Sequence, residues 1–157
     1  MSENIVEVIW ERGEQNFLDN RYSRKHIIRF DGGLEIPASS SPDVVPIPYS
    51  DASAADPEEM LVAALTNCHM LWFLSIAAKH GFRVDTYVDK AAGVMGKNAH
   101  GKLFLAKATL NPSVKFSGKK IPTAEEYELL HHKAHEECFI ANSALTEVAI
   151  KPVLNYQ

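Results

Sequence analysis

The chain has 157 residues, with 16 Lys and Arg against 20 Asp and Glu, a formal net charge of -4 and two cysteines. A chain of this length buries roughly 70% of the surface it exposes when unfolded, so it holds a core without disulfides or a structural metal, and a disulfide-stapled miniprotein is excluded. The mildly acidic balance, with no Lys/Arg-rich run, argues against a nucleic-acid backbone or an anionic membrane surface as partner.

The start, Met1-Ser2-Glu3-Asn4, shows no basic segment followed by an apolar block, so the expected compartment is the cytoplasm. There a permanent bridge between the two cysteines is disfavoured, leaving reactive or simply buried thiols. Strands are expected at Val6–Trp10, His26–Phe30 and Leu34–Ile36, with Asp31-Gly32-Gly33 turning between the last two. Ser39 to Ala55, rich in Ser, Pro and Asp, reads as a loop. Asp56-Pro57-Glu58-Glu59 then announces a helix: a side-chain acceptor at the N-cap, proline where no donor is needed, and a glutamate placed to close a capping box. This helix should run to Lys79 or His80 and stop at Gly81.

Strands are expected again at Val84–Val88 and Lys102–Phe116. Thr123-Ala124-Glu125-Glu126 repeats the capping logic and opens a second helix reaching about Cys138, and Thr146–Val153 reads as a final strand. No internal repeat appears, and the order of elements is that of a single α+β domain spanning residues 1–157. Met60 to Ala78 contains no Asp, Glu, Lys or Arg and is long enough to cross a bilayer. Thr66, Asn67, His69 and Ser75 interrupt it, and no aromatic belt or basic flank anchors both ends, so the centre of a water-soluble fold is expected instead.

On the first helix Leu61, Ala64, Leu65, Cys68, Trp72 and Ile76 recur at spacings of three and four, and on the second Tyr127, Leu130 and Ala134 lead to Cys138 in the same way. Both cysteines can therefore be small core hydrophobes. A reactive role would require a cation to hold one of them as thiolate, and Arg12, Arg21, Arg24, Arg29 and Arg83 are the arginine candidates, among which spacing does not choose. Glu58, in the first turn, also has a plain role in complementing the helix dipole. His131, His132, His135 and Cys138 have partial metal-ligand spacing, but no second cluster completes a tetrahedral set, and neither a metal nor a cofactor is expected.

The sequence resembles the osmotically inducible protein C and organic hydroperoxide resistance (OsmC/Ohr) family. The residues carrying the resemblance are Asp56-Pro57-Glu58-Glu59-Met60-Leu61-Val62-Ala63-Ala64-Leu65 leading to Cys68, and Ala134-His135-Glu136-Glu137-Cys138 leading to Ile140-Ala141-Asn142-Ser143-Ala144. Asp31-Gly32-Gly33-Leu34 matches the family's N-terminal hairpin. The resemblance implies an α+β OsmC-like fold, with antiparallel sheets around a long buried central helix, in an intertwined homodimer. The implied activity is thiol-dependent reduction of organic hydroperoxides, with active sites at the subunit interface.

Carried over by position, Cys68 matches the peroxide-attacking cysteine, Cys138 the resolving cysteine, and Glu58 a carboxylate that pairs with an arginine. That arginine is Arg24 by its offset from the glycine turn, with Arg21 in reserve. The resemblance further implies that Arg24, oriented by a salt bridge to Glu58, holds the Cys68 sulfur as thiolate, that a Cys68–Cys138 disulfide follows, and that a lipoyl-type dithiol reopens it. Glu58 precedes Cys68 by a helical rise of about 15 Å, so it reaches that sulfur only if the first turn is displaced or the carboxylate belongs to the other subunit.

Met60, Phe73 and Phe139 are apolar residues that would suit a greasy hydroperoxide, though ordinary core packing is the better explanation of them. His69 and Phe139 depart from residues common in the family beside the two cysteines. His69 could protonate a leaving alkoxide, yet a neighbour on a helix points about 100° away from Cys68. A rival reading keeps the fold and makes the protein a non-catalytic dimer that binds an apolar small molecule at the subunit interface. Acyl transfer from a cysteine nucleophile would need a histidine base, for which the sequence offers no convincing pairing.

Overall fold

A computed structural model describes residues 3–153, which divide into two compact units, 3–60 and 61–153.

The first unit is built on an antiparallel sheet in the order β1 (Val6–Ile9), β2 (His26–Phe30), β3 (Glu35–Ala38). The register sets Arg29 opposite both Glu7 and Glu35, and its guanidinium bonds the two carboxylates at 2.7 and 2.5 Å. Gly33, at φ +88°, makes the turn between β2 and β3 that other residues would strain to make. The loop after β3 is tied back to it: Ser39 Oγ accepts the Asp51 amide at 3.0 Å, and Ala38 bridges Ala55. The capping box then forms as the sequence predicts, with the Glu59 amide donating to Asp56 Oδ1 at 2.7 Å and the Asp56 amide to Glu59 Oε2 at 3.3 Å.

That cap opens α1 (Pro57–Lys79), which continues into the second unit and ends at Gly81, φ +79°. Two sheets accompany it: β4 (Arg83–Asp89) with β7 (Pro112–Ser117), and β5 (Ala92–Lys97), β6 (Leu103–Leu110) and β8 (Glu147–Ile150) in the order β5-β6-β8. The helices α2 (Ala124–Glu137) and α3 (Phe139–Ser143) complete the chain, and Thr123 and Glu126 form the expected capping box. Phe73, Ile76 and Ala77 of α1 meet Tyr127, Leu130 and Ala134 of α2, together with Phe82 and Val114, in the core.

Four expectations are corrected. The strand expected over 102–116 is two strands in different sheets, because Pro112 lacks a ladder donor and the Asn111 amide is diverted to Asp89 Oδ1 at 2.6 Å. Asp89 also accepts the Thr66 hydroxyl, which fixes α1 against this bend. β5 was not expected at all. β8 runs parallel to β6, so the sheets are antiparallel except for that pair. Finally, the buried stripe of α1 is Leu65, His69, Phe73, Ile76 and Ala77, leaving Cys68 only half-buried and Leu71 exposed. The helix is apolar on nearly every side, so spacing alone could not select which side faces inward.

Candidate active site

The two cysteines come together. Cys68 stands half-buried on α1, whereas Cys138 is 1% exposed and occupies the junction of α2 and α3 in an extended conformation, φ -68° and ψ 108°. It is both the last cap of α2 and the first cap of α3. Its amide donates to the His135 carbonyl at 3.2 Å, and its sulfur accepts the Ala141 amide at 3.4 Å. The Cys138 thiol has Cys68 as its neighbour. Burial pushes the Cys138 thiol up; the Ala141 and Ile140 amides pull against that, and the adjoining Cys68 adds to the rise. Cys138 is thus a protonated thiol beside a second, more accessible sulfur, an arrangement suited to forming a disulfide.

Beside this pair lies a feature that spacing mis-assigned. His69 points into the core, and its Nε2 lies 2.9 Å from Nδ1 of His131. Burial lowers the pKa of His69 to about 4, with nearby His135 contributing, and lowers that of His131 to about 3, with His69 contributing. Both are therefore neutral at pH 7. In the run His131-His132-Lys133, only His132 is an exposed histidine, and it faces Glu136 at 3.2 Å. His131 stands four residues after the buried Tyr127 and next to Leu130, a signal for the core that was present in the sequence. Among the described residues no three His, Cys, Asp or Glu side chains are grouped to hold a metal ion.

Arg24 and Glu58 belong to the first unit. Arg24 donates to the Asn20 carbonyl at 3.0 Å, to Asn20 Oδ1 at 2.7 Å and to the Tyr22 carbonyl, with its guanidinium 3.8 Å from the centre of the Tyr22 ring. Asn20 presents these acceptors from a left-handed conformation, φ 61°, which asparagine tolerates better than most residues. Within one chain, then, the expected Arg24–Glu58 salt bridge does not form, because Asn20 and Tyr22 already claim the guanidinium. Glu58 Oε2 is buried without a hydrogen-bond partner, a costly arrangement for a carboxylate. Arg24 lines a cleft of about 450 Å³ walled by Trp10, Phe17 and Tyr22 and floored by His26, Ser39 and Pro57. Phe73 is core, whereas Phe139 is 67% exposed and meets the Trp72 ring edge-on at 5.6 Å.

A family model of OsmC-like proteins matches residues 50–152. The chain is similar to the structure of an OsmC-like protein of unknown function from Vibrio cholerae, at 52% identity and a TM-score of 0.95, covering 98% of this chain and 100% of that one. It shares its fold with an organic hydroperoxide resistance protein from Elizabethkingia anophelis, at 18% identity and a TM-score of 0.74 over 99% of this chain and 98% of that one. The fold is also that of the organic hydroperoxide resistance protein OhrB of Bacillus subtilis, at 16% identity and a TM-score of 0.65 over 97% and 98%. No curated protein matches.

Proposed function

We propose that this chain, which belongs to the OsmC-like family, is a cytoplasmic thiol-dependent peroxidase that reduces organic hydroperoxides to alcohols. The observation that carries the reading is that the thiols of Cys68 and Cys138, 70 positions apart in the chain, are neighbours. As thiolate, Cys68 attacks one peroxide oxygen; the O–O bond breaks, the alkoxide takes a proton and leaves as alcohol, and the sulfur becomes a sulfenic acid. The Cys138 sulfur then bonds to Cys68, the S–O bond breaks, and water departs with the thiol proton. An external dithiol, lipoyl-type by family resemblance, reopens the disulfide and is itself oxidised. Arg24 is assigned the positive charge that favours the Cys68 thiolate and Glu58 the carboxylate that accompanies it.

The proposed functional unit is a homodimer. Support comes from α1, apolar on nearly every side yet with Leu71 exposed, and from the partnerless Glu58 oxygen, which a second copy could supply with a donor. The aromatic cleft beside Arg24 favours an apolar substrate over hydrogen peroxide. It also supports the second reading, a non-catalytic binder of an apolar small molecule.

Mass spectrometry after one equivalent of an organic hydroperoxide separates the two. The peroxidase yields an intrachain Cys68–Cys138 link that dihydrolipoamide reverses, and Cys68→Ser abolishes turnover. Two intact thiols in the treated wild-type protein, with an apolar probe still bound, would establish the binder instead.

A further inference from the structure

His69 and His131 form a buried imidazole pair between the two helices that carry the cysteines. Their rings are parallel to within 3°, their nitrogens are 2.9 Å apart, and they are 1% and 2% exposed. His131 stacks on Phe73 at 4.2 Å and meets Tyr127 edge-on at 4.7 Å, so the bond lies among aromatic rings. The arrangement is costly. One shared proton satisfies two of the four ring nitrogens, and His69 Nδ1 and His131 Nε2 remain buried without partners, one of them necessarily carrying hydrogen in either tautomer. Two apolar side chains of the same shape would fill this space at lower cost. What they could not supply is direction, because a hydrogen bond tolerates a narrow range of distance and angle whereas packed hydrocarbon slides.

The location gives that direction a use. His69 follows Cys68 on α1, and His131 stands two helical turns before Cys138, on nearly the same face of α2. Among the described residues it is the one side-chain hydrogen bond joining α1 to α2. We propose that His69 and His131 are positioning residues that fix the register in which the Cys68 and Cys138 sulfurs meet, and thereby set how favourable their disulfide is. This rests on the reading of the two cysteines as redox partners.

The test is equilibration of the full-length protein with glutathione buffers of graded ratio. The two thiols give up two electrons and two protons to glutathione disulfide, which leaves as two glutathione thiols, and the position of balance measures how well the sulfurs are held together. His131→Phe keeps the stack on Phe73 and removes the bond. It is expected to weaken the disulfide at least tenfold, about 30 mV, and to lower the urea midpoint because His69 is stranded. His131→Asn, which keeps a polar group near the Nδ1 position, should stay within about threefold of wild type.

The decisive protein combines His69→Leu with His131→Phe: its urea midpoint returns to wild type or above, because no buried polar group is left unpaired, while its disulfide stays weakened. A double variant whose disulfide recovers along with its stability overturns the positioning role. A wild-type protein that forms no disulfide at any glutathione ratio overturns the redox reading itself, and this proposal with it.

Discussion

The sulfur of Cys138 accepts the Ala141 amide at 3.4 Å and so caps α3, a five-residue helix with no buried side chain, while the same sulfur has Cys68 as its neighbour. One atom therefore serves both the local fold and the proposed chemistry, and bonding to another sulfur should draw it away from the Ala141 amide and weaken the cap. Oxidation with diamide, which needs no peroxide, should form the disulfide and speed hydrogen exchange at the Ala141 and Asn142 amides by about tenfold or more relative to the reduced protein. Reduced Cys138→Ala should show the same loss, whereas Cys138→Ser, with a better N-cap, should retain protection. Equal protection in the reduced and disulfide forms would show that the cap does not hold α3.

The imidazole pair makes stability dependent on acid. His69 and His131 have native pKa values of about 4 and about 3 against 6.5 when free, so between pH 6.5 and 4 the unfolded chain binds protons that the native state excludes. Stability is then at its full value above pH 6.5 and falls as the pH drops, by up to about 1.4 kcal/mol per pH unit for each histidine. His135 faces His69, and Tyr87 and Tyr127 adjoin His131; none offers a counter-charge, since burial raises both phenols and keeps them neutral. Urea midpoints measured from pH 7.5 to 4.5 should fall steeply in the wild type. Combining His69→Leu with His131→Phe should flatten that slope, and an unchanged slope would place the acid sensitivity elsewhere.

Local signals were the legible part of this sequence. The capping boxes at Asp56 and Thr123 and the Gly33 turn formed where their residue types demanded, because each is decided within a few positions of chain. The resemblance carried the family, whereas whether Cys68 and Cys138 are neighbours could not be read from the sequence. What was not legible depended on partners distant in sequence. The inward side of α1 is chosen by α2 and the sheets, not by its own nearly uniform apolarity, which is why Cys68 was expected in the stripe that His69 occupies. The split at Asn111 depends on a carboxylate from β4, and β5 was hidden because Gly93 and Gly96 weaken the strand signal of their segment.

Arg24 and Arg21 were both candidates for the active-site cation, and their surroundings distinguish them. Arg24 is half-buried, fixed by Asn20 and Tyr22, and lines the aromatic cleft, whereas Arg21 is exposed. Arg24→Ala should lower kcat/KM for an organic hydroperoxide by about a hundredfold or more, a loss of roughly 2.7 kcal/mol in the transition state. Arg24→Lys should recover only part of it, because a lysine does not reproduce the planar set of donors held by Asn20 and Tyr22. Arg21→Ala should stay within about twofold of wild type. Reversed outcomes for the two arginines would transfer the role to Arg21.

Gly93 of β5 explains how closely α1 is seated on its sheet. A methyl group at this position would come within 2.7 Å of Val62 Cγ2 and 2.8 Å of Leu105 Cδ1. Val62 lies six residues before Cys68 on α1, and a β-branched side chain has little freedom to rotate away. Gly93→Ala must therefore shift the helix or distort β5, and a loss of about 1–3 kcal/mol is expected from overpacking. Pairing it with Val62→Ala removes the nearer obstruction and should restore part of the loss, so the two substitutions should be non-additive in a urea-unfolding cycle. Strict additivity would mean that the glycine is needed for its backbone and not for the approach of α1.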